Sequence, residues 1–230
     1  MLELKQSNID LRETEHAYIL GALSADGIVA GFTKPHVKGR PQTQEDALKA
    51  IAFTGGAIGI AYMDQVHGAD VKIVDRPAKH VCDGIFTSAR NLALVVKTAD
   101  CLPLLFYNEK KAIIGAVHMG WRSARDGILD NIPHDLSSFN AVAGIGLRKC
   151  CYEVGKDFLG HEKFSPHLTR HGGSYYFDPV AFARRSLAAH GLKNENFLDL
   201  DICSYCSESG FPSHRKTKTP DRTLNFIIHY

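Results

Sequence analysis

The sequence has no long apolar run, no strong charge of either sign and no glycine-rich phosphate loop. No stretch approaches the about eighteen uncharged apolar residues that a transmembrane helix needs, which excludes a helical membrane span. A formal net charge of +2 provides no global attraction for nucleic acid or membrane, so we expect neither as a partner. Neither GxxxxGK(S/T) nor a strand-linked GxGxxG is present, which excludes those two nucleotide-binding loops. Function must therefore come from a local site.

Cysteines are also few, and a secretory leader is not expected. The first twenty residues carry charges throughout and contain no unbroken apolar segment, so we expect no signal peptide and a cytoplasmic location. Six cysteines in 230 residues are too few and too irregularly spaced for a disulfide scaffold. They are Cys82, Cys101, Cys150, Cys151, Cys203 and Cys206. Free thiols or metal ligands are the better interpretation.

The bulk composition is that of a soluble globular protein. Hydrophobic residues make up 44% of the chain and charged residues 23%. A chain of 230 residues can bury a substantial core, and single domains of this length are common. We therefore expect one domain spanning residues 1–230, in a monomeric protein.

Apolar runs separated by turn signals predict many β-strands. Residues 16–33 indicate an early hairpin with its turn at 25–27, followed by a loop over 34–46. IGIAYMDQVHGADVKIVD is typical of two strands with QVHG near their junction. Buried strands are further predicted for LALVV, LPLLFY, AIIGAV, AVAGIGL and TLNFIIHY.

Three segments have helical spacing. Thr43 precedes residues 44–53, whose early acidic residues and apolar spacing suit a capped helix. A second helix is predicted at 123–132. A third is predicted at 177–192, where a proline in the first turn and Gly191 at the end match the usual start and stop signals.

Three polar motifs follow apolar runs, and each contains a metal-ligating residue. QVHG contains His67, KTADC contains Cys101 and HMGW begins with His118. Zinc favours mixtures of imidazole and thiolate, and a catalytic zinc site typically keeps three protein ligands and one open position. The spacing does not match a zinc finger, so spacing alone leaves another interpretation open: His67 as a hydrogen-bonded turn residue and Cys101 as a buried thiol.

Several neighbouring residues suit a polar pocket that holds an anion. Asp100 places a carboxylate beside Cys101, and Arg122 follows Trp121, which could wall a pocket. His214 and Arg215 lie in the basic segment PSHRKTKTPDR, which is either a solvated loop or an anion-binding loop. Phosphate would suit such a loop because arginine presents a bidentate fork.

The remaining cysteines form a CxxC motif and an adjacent pair. CSYC at 203–206 is typical of a zinc ribbon or a redox pair, but no second CxxC completes four sulfur ligands. The preceding DLDI does not place the motif clearly at a helix start, as in thioredoxin-like proteins. We therefore interpret Cys203 and Cys206 as incidental or structural thiols, and Cys150 and Cys151 as packing residues.

The combination of motifs resembles the bacterial YfiH family. QVHG, DGIFT, TADCLPLL, AVHMGWR and GIGLRKCCYEV occur in the family's order over residues 60–156, and SHR at 213–215 resembles its C-terminal motif. These proteins are also called laccase-domain proteins, multicopper polyphenol oxidases, purine nucleoside phosphorylase YfiH-like proteins or peptidoglycan editing factors.

The resemblance implies a single-domain α/β fold in which mixed β-sheets are sandwiched between helices. It also implies a zinc ion held by His67, Cys101 and His118, with no organic cofactor. The implied reactions are phosphorolysis of adenosine, inosine, guanosine and methylthioadenosine, deamination of adenosine, and copper-dependent oxidation of phenols. The implied partners are therefore a nucleoside and phosphate.

Two departures from the family pattern are visible. The N-terminal RGGVS-like loop corresponds here to GFTKPHVKGRPQTQED, which is shortened, so the substrate contacts of that loop are in doubt. After GWR, the family usually has a small residue and glycine, whereas this chain has Ser123 and Ala124. We therefore expect the close packing at that point to differ slightly from the family's.

The residues allow several chemistries. For phosphorolysis, phosphate would attack the ribose C1′ while Arg122, His214 or Arg215 positions it. For deamination, water activated by the metal would attack C6 of adenine, with Asp100 as the candidate proton carrier.

One alternative is a cysteine hydrolase or amidase that edits peptidoglycan precursors, with Cys101 as nucleophile and His118 as base. The others are a copper-dependent phenol oxidase and a non-catalytic zinc site closed by a fourth ligand such as His80 or Cys82.

Overall fold

Short β-strands dominate the computed structural model, which describes residues 10–21, 27–37, 40–41, 48, 51 and 59–230. The strands in chain order are Leu11–Glu13 (β1), Ala17–Leu20 (β2), Ile28–Thr33 (β3), His36–Val37 (β4), Arg40–Pro41 (β5), Gly59–Asp64 (β6), Val71–Ile73 (β7), Lys79–Val81 (β8), Gly84–Thr87 (β9), Leu92–Thr98 (β10), Leu102–Asn108 (β11), Ile113–Met119 (β12), Asn140–Ala143 (β13), Glu153–Val154 (β14), Leu168–His171 (β15), Ser174–Phe177 (β16), Phe197–Asp199 (β17) and Thr223–His229 (β18). The α-helices that lie wholly within the described residues are Trp121–Arg125 (α1), Pro179–Ala189 (α2) and His214–Thr217 (α3).

Within the described residues, the strands form two large mixed sheets. The first sheet has the order β1-β2-β3-β18-β10-β6-β8, and the second has the order β17-β13-β11-β12-β9-β7. In the first, β6 runs parallel to β8 and β10, while β18 is antiparallel to β3 and β10. In the second, β11 and β12 form an antiparallel pair at the centre. The predicted α/β architecture with mixed sheets is therefore confirmed.

The two sheets share a hydrophobic core. Leu94 and Val96 of β10 belong to the same buried cluster as Leu105 of β11 and Ile114 and Ala116 of β12. Each of these side chains is at most 3% exposed. Burial of this size contributes about 1.5–3 kcal/mol for each large aliphatic side chain, before conformational entropy is subtracted. The core thereby fixes the ends of β10, β11 and β12 relative to one another.

The outer face of the second sheet is covered by α2 and a small three-stranded sheet of β14, β16 and β15. Helix α2 starts where it was predicted to start, because Asp178 accepts a hydrogen bond from the Ala181 N–H and Pro179 occupies the first turn. Gly191 lies just beyond its end with φ +95°, a conformation that favours glycine. The helix predicted at 177–192 is therefore confirmed.

The helix predicted at 123–132 is wrong over most of its length. Helix α1 starts earlier, at Trp121, and ends at Arg125, after which the backbone forms turns. Gly127 adopts φ +85°, which breaks the helical path. The apolar spacing of this segment instead places Ile128, Leu129 and Ile132 in the core from consecutive turns.

The structure tests only some of the predictions for the N-terminal region, because it describes only part of that region. Strands β2 and β3 pair antiparallel, which confirms the early hairpin, although most of its predicted turn lies outside the described residues. Of the helix predicted at 44–53, only Leu48 and Ile51 are described, and both are helical. Its capping residue Thr43 lies outside the described residues. Within the loop predicted at 34–46, β4 and β5 form a short antiparallel pair, so that prediction is wrong for residues 36–37 and 40–41. Residues 38–39 and 42–46 lie outside the described residues.

The longest α-helix in the described part of the chain has 11 residues. None of the helices found there has the length and apolar character needed to cross a bilayer.

Candidate metal centre

Three strand ends bring together the three ligands predicted from the sequence. His67 lies in the loop after β6, Cys101 lies in the connection from β10 to β11, and His118 lies near the end of β12. The nitrogen and sulfur ligand atoms of these residues lie within 4.8 Å of one another. His118 is buried, Cys101 is half-buried and His67 is exposed, so the group opens toward solvent on one side.

Gln65 fixes the start of the loop that carries His67. Its side-chain Nε2 donates to the carbonyl oxygen of Lys97 at 2.7 Å, and its Oε1 accepts from the Lys97 backbone N–H at 2.8 Å. Since β6 and β10 are parallel neighbours, these two side-chain hydrogen bonds continue the pairing of the two strands just beyond the end of β6. In the turn that follows, His67 adopts φ 60°, a left-handed conformation that is strained for a residue with a Cβ. Strained backbone conformations of this kind are concentrated at functional sites.

Asp83 holds the loop and His118 together. Its fully buried carboxylate accepts backbone hydrogen bonds from Val66 at 3.1 Å, His67 at 3.0 Å and Gly68 at 2.8 Å. The same carboxylate lies 2.7 Å from Nδ1 of His118. A carboxylate at Nδ1 fixes the imidazole orientation and leaves Nε2 to face a metal.

Cys101 and His118 are electrostatically coupled. Burial alone would raise the pKa of Cys101, but hydrogen bonds from His118 and His67 lower it to about 6. Burial alone would lower the pKa of His118, but hydrogen bonds to Asp83 and Cys101 raise it to about 9. At neutral pH the metal-free site therefore carries a thiolate and an imidazolium, and binding of a cation would release the proton from His118.

The absence of a side chain at Gly120 makes room for the three ligands to approach one another. A Cβ at this position would lie 3.1 Å from Cδ2 of His67 and 3.2 Å from Sγ of Cys101. Both distances are shorter than ordinary van der Waals contacts, so a side chain here would push two of the three ligands apart. The glycine of HMGW thus allows the ligands to converge.

Replacing Gly120 with alanine is expected to weaken zinc binding by roughly tenfold, because ligand displacements of this kind resemble loss of a supporting residue. Zinc affinity measured by competition with a chromophoric chelator tests this. The matched control is Gly160→Ala, since nothing lies within 4 Å of a Cβ built at Gly160. Equal zinc affinity in both variants would contradict the steric argument.

Asp100 connects the site to the C-terminal SHR segment. Its Oδ1 accepts from Oγ of Ser204 at 2.8 Å and Oγ of Ser213 at 2.7 Å, and its Oδ2 accepts from the Arg215 backbone N–H at 2.6 Å. Its backbone carbonyl accepts from the Leu147 N–H at 2.7 Å. Asp100 adopts φ 94°, so these hydrogen bonds hold an unfavourable backbone conformation immediately before Cys101.

A cleft of about 1200 Å³ opens beside the three ligands. Trp121, Tyr152 and Phe158 contribute aromatic surface to its wall. The guanidinium of Arg215 donates to the Glu153 carbonyl at 2.7 Å and lies 5.1 Å from the Tyr152 ring centre. Further basic or imidazole side chains along the wall are Lys97, Arg122, His214, Lys218 and Arg222. The structure thus places every predicted anion-binding residue on the same cleft as the three predicted metal ligands.

The donor set fits a single metal ion. Two imidazoles and one thiolate match the ligand preference of zinc, and Asp83 supplies the support expected behind a metal-bound histidine. In the described chain, neither His80 nor Cys82 joins this group, so no fourth side-chain ligand closes it there. Three protein ligands beside a cleft are typical of a catalytic rather than a structural zinc site.

Sequence reasoning missed Asp83, Ser204 and Ser213 as supporting residues. Asp83 begins the DGIFT motif, and an aspartate directly before a buried strand was the available signal. Ser213 precedes His214 in SHR and is 2% exposed, while Ser204 lies inside CSYC and is 3% exposed. Hydroxyls buried this deeply require partners, but the sequence does not reveal that the partner is Asp100.

Known proteins match this chain in sequence and in fold. The family described as multi-copper polyphenol oxidoreductase laccase matches residues 34–229. A protein of Aquifex aeolicus named purine nucleoside phosphorylase is 32% identical over 164 residues, covering 69% of this chain and 76% of that protein. The Escherichia coli protein named purine nucleoside phosphorylase YfiH is 32% identical over 177 residues, covering 72% of each.

Solved structures agree over almost the whole chain. YlmD from Geobacillus stearothermophilus has a TM-score of 0.83 at 25% identity and covers 96% of this chain and 98% of its own. A Bacillus licheniformis protein named YfiH has a TM-score of 0.79 at 22% identity, with coverage of 96% and 99%, and supports the fold. With its motifs, its fold and its relatives in agreement, the chain belongs to the YfiH family of laccase-domain proteins.

Proposed function

We propose that this protein is a zinc-dependent purine nucleoside phosphorylase that acts on adenosine, inosine, guanosine and methylthioadenosine. The observation that carries the proposal is the three-ligand group of His67, Cys101 and His118 beside a cleft whose lining includes cationic, acidic and aromatic side chains. The names of the Aquifex aeolicus and Escherichia coli relatives support the same activity. Nucleoside and phosphate are both small enough for a cleft of this size.

His67, Cys101 and His118 would hold the zinc ion, which supplies Lewis-acid chemistry when bound. Asp83 keeps a proton of His118 on Nδ1, which would leave Nε2 available to bind the ion. Gly120 allows the three side chains to converge, and the Asp100 hydrogen bonds hold the backbone that carries Cys101. The residues of the site thus act mainly by positioning.

Phosphate would bind through the basic side chains of the cleft. In phosphorolysis, a phosphate oxygen bonds to the ribose C1′ as the bond to the purine nitrogen breaks, and the leaving purine takes up a proton. Arg122, His214 and Arg215 all line the cleft and would hold the phosphate against the sugar. The purine ring would stack on aromatic surface such as Trp121.

Adenosine deamination is the second reaction proposed for this site, because zinc deaminases also use a mixture of imidazole and thiolate ligands. The products would be inosine and ammonia. The assignment of Asp100 as proton carrier stays a prediction. Its carboxylate already accepts three hydrogen bonds, so proton transfer would require it to release one of them.

The two reactions are separated by their products. Zinc-loaded protein is incubated with adenosine, with and without phosphate, and the products are resolved by chromatography. Adenine that forms only with phosphate supports phosphorolysis, and inosine that forms without phosphate supports deamination. Full zinc content with neither product would contradict the nucleoside assignment and favour a non-catalytic zinc site. Copper-loaded protein with a phenolic substrate tests the oxidase alternative in the same series.

A cysteine hydrolase is the remaining candidate, and one specific observation favours it. Asp83, His118 and Cys101 stand in the order of a carboxylate, an imidazole and a nucleophile, as in catalytic triads. Such an enzyme could cleave an amide in a peptidoglycan precursor. His67 has no role in that arrangement, whereas a metal site requires it, so this residue separates the two proposals.

A further inference from the structure

Four cysteines come together outside the site described above. Cys150 and Cys151 lie in the turn after Leu147, and Cys203 and Cys206 form the CxxC motif, which begins 52 residues after Cys151. Their four sulfur atoms lie within 4.8 Å of one another. Cys150 is exposed, so its interpretation as a packing residue is wrong. The adjacent pair supplies the two sulfur atoms that the CxxC motif lacked.

The spacing of the sulfurs suits a tetrahedral metal site. Zinc–sulfur bonds of about 2.3 Å in a regular tetrahedron place the sulfur atoms about 3.8 Å apart. Sγ of Cys150 and Sγ of Cys206 are 3.7 Å apart. A disulfide would require a separation of about 2.05 Å. The observed distance therefore matches two ligands of one cation better than a covalent pair.

Backbone hydrogen bonds hold both cysteine segments in place. Gly146 and Cys203 form a parallel bridge, and the Ser204 N–H donates to the Gly146 carbonyl at 3.0 Å. The Cys151 N–H donates to the Arg148 carbonyl at 2.9 Å. The four sulfurs are thus brought together by ordered backbone, which reduces the entropic cost of binding a cation.

We propose that Cys150, Cys151, Cys203 and Cys206 bind one zinc ion, separate from the ion held by His67, Cys101 and His118. Four thiolates are a standard ligand set for structural zinc, and a shell closed by four protein ligands leaves no position for substrate. This second site has a structural role.

The position of the second site explains what it would stabilise. Ser204, between the two CxxC cysteines, donates to Asp100, the residue before Cys101. Tyr152 follows Cys151 and lines the cleft, and Arg215 donates to the Cys151 carbonyl at 3.4 Å. A cation bound by the four sulfurs would fix the backbone of both segments and so maintain the wall of the cleft.

Metal counting tests the proposal without an activity assay. Protein purified under reducing conditions is analysed by elemental mass spectrometry, and we expect about two zinc ions per chain. Cys206→Ser is expected to retain about one ion, because a structural zinc site needs its full ligand set. The matched control is Cys82→Ala, since Cys82 belongs to neither group, and it is expected to retain both ions. One ion in the wild type that is lost in His118→Ala would overturn the proposal.

A second measurement covers the case in which Cys206→Ser does not fold. Cys101→Ala leaves all four cysteines of the second site intact, and its cobalt-substituted form is expected to keep the thiolate-to-cobalt charge-transfer absorption of a tetrathiolate. Absence of that absorption would overturn the proposal, as would one equivalent of iron in place of zinc. Fewer than six free thiols in the denatured wild-type protein, measured without reductant, would indicate a disulfide and would also overturn it.

Discussion

Replacing His67 with alanine is expected to remove the zinc ion proposed for the cleft and to lower kcat/KM for the proposed phosphorolysis by about a thousandfold, since Lewis-acid stabilisation is worth several kcal/mol. His67 contacts the group from the exposed side, so its loss leaves the buried pair of Asp83 and His118 intact. The effect on folding is therefore small compared with the effect on activity. Zinc content, kcat/KM and thermal stability measured on one preparation test all three expectations.

The same variant separates the metal enzyme from the cysteine hydrolase. A nucleophilic Cys101 with His118 as base does not need His67, so a hydrolase would retain most of its amide-cleaving activity in His67→Ala. His171→Ala is a suitable control, because His171 is exposed on β15 and does not line the cleft. Unchanged phosphorolysis after loss of zinc in His67→Ala would contradict the proposed role of the metal.

Replacing Asp83 with asparagine is expected to weaken zinc binding by about 10–100-fold, in line with other residues that support metal-bound histidines. If the new amide N–H faces His118, it favours the tautomer whose proton is on Nε2, and that nitrogen can no longer bind a metal. If the amide N–H faces the loop, Val66 and Gly68 lose the oxygen that accepts their backbone hydrogen bonds. In that case we expect a loss of about 1–3 kcal/mol from the free energy of unfolding.

Chelator competition and urea denaturation measure the two consequences of Asp83→Asn. The control is Asp126→Asn, which removes a charge from an exposed carboxylate paired with Arg125. That exposed pair contributes little to the free energy of unfolding, because solvent screens it. Wild-type zinc affinity together with wild-type stability in Asp83→Asn would contradict the role assigned to this carboxylate.

The strands could be predicted because their signals are local, whereas the choice of His67, Cys101 and His118 as metal ligands came from the resemblance to the YfiH family and stays a prediction. LALVV, LPLLFY and AIIGAV are apolar runs that end in polar residues, and the structure places Cys101 and His118 at those ends. The mixture of imidazole and thiolate then indicated zinc chemistry. The predicted helix at 123–132 failed because Gly127 requires a positive φ that the apolar spacing does not reveal.

Interactions between distant segments could not be predicted in the same way. Asp83 serves His67 and His118, which are 16 and 35 residues away in the sequence. Ser204 and Ser213 reach Asp100 across more than a hundred residues. The two pairs of cysteines are also distant in the sequence and come together only when the sheets have formed. Each of these depends on the packing of the two sheets, which has no short-range sequence signal.

The central claim is that the ion held by His67, Cys101 and His118 drives phosphorolysis of purine nucleosides. The most direct measurement is a titration of metal-free protein with zinc, in which phosphate-dependent release of adenine is followed at each step. We predict that activity rises with zinc and reaches a plateau when the site of the cleft is filled, and that Cys101→Ala stays inactive throughout. Adenine release that is independent of zinc, or equal in Cys101→Ala, would contradict the claim.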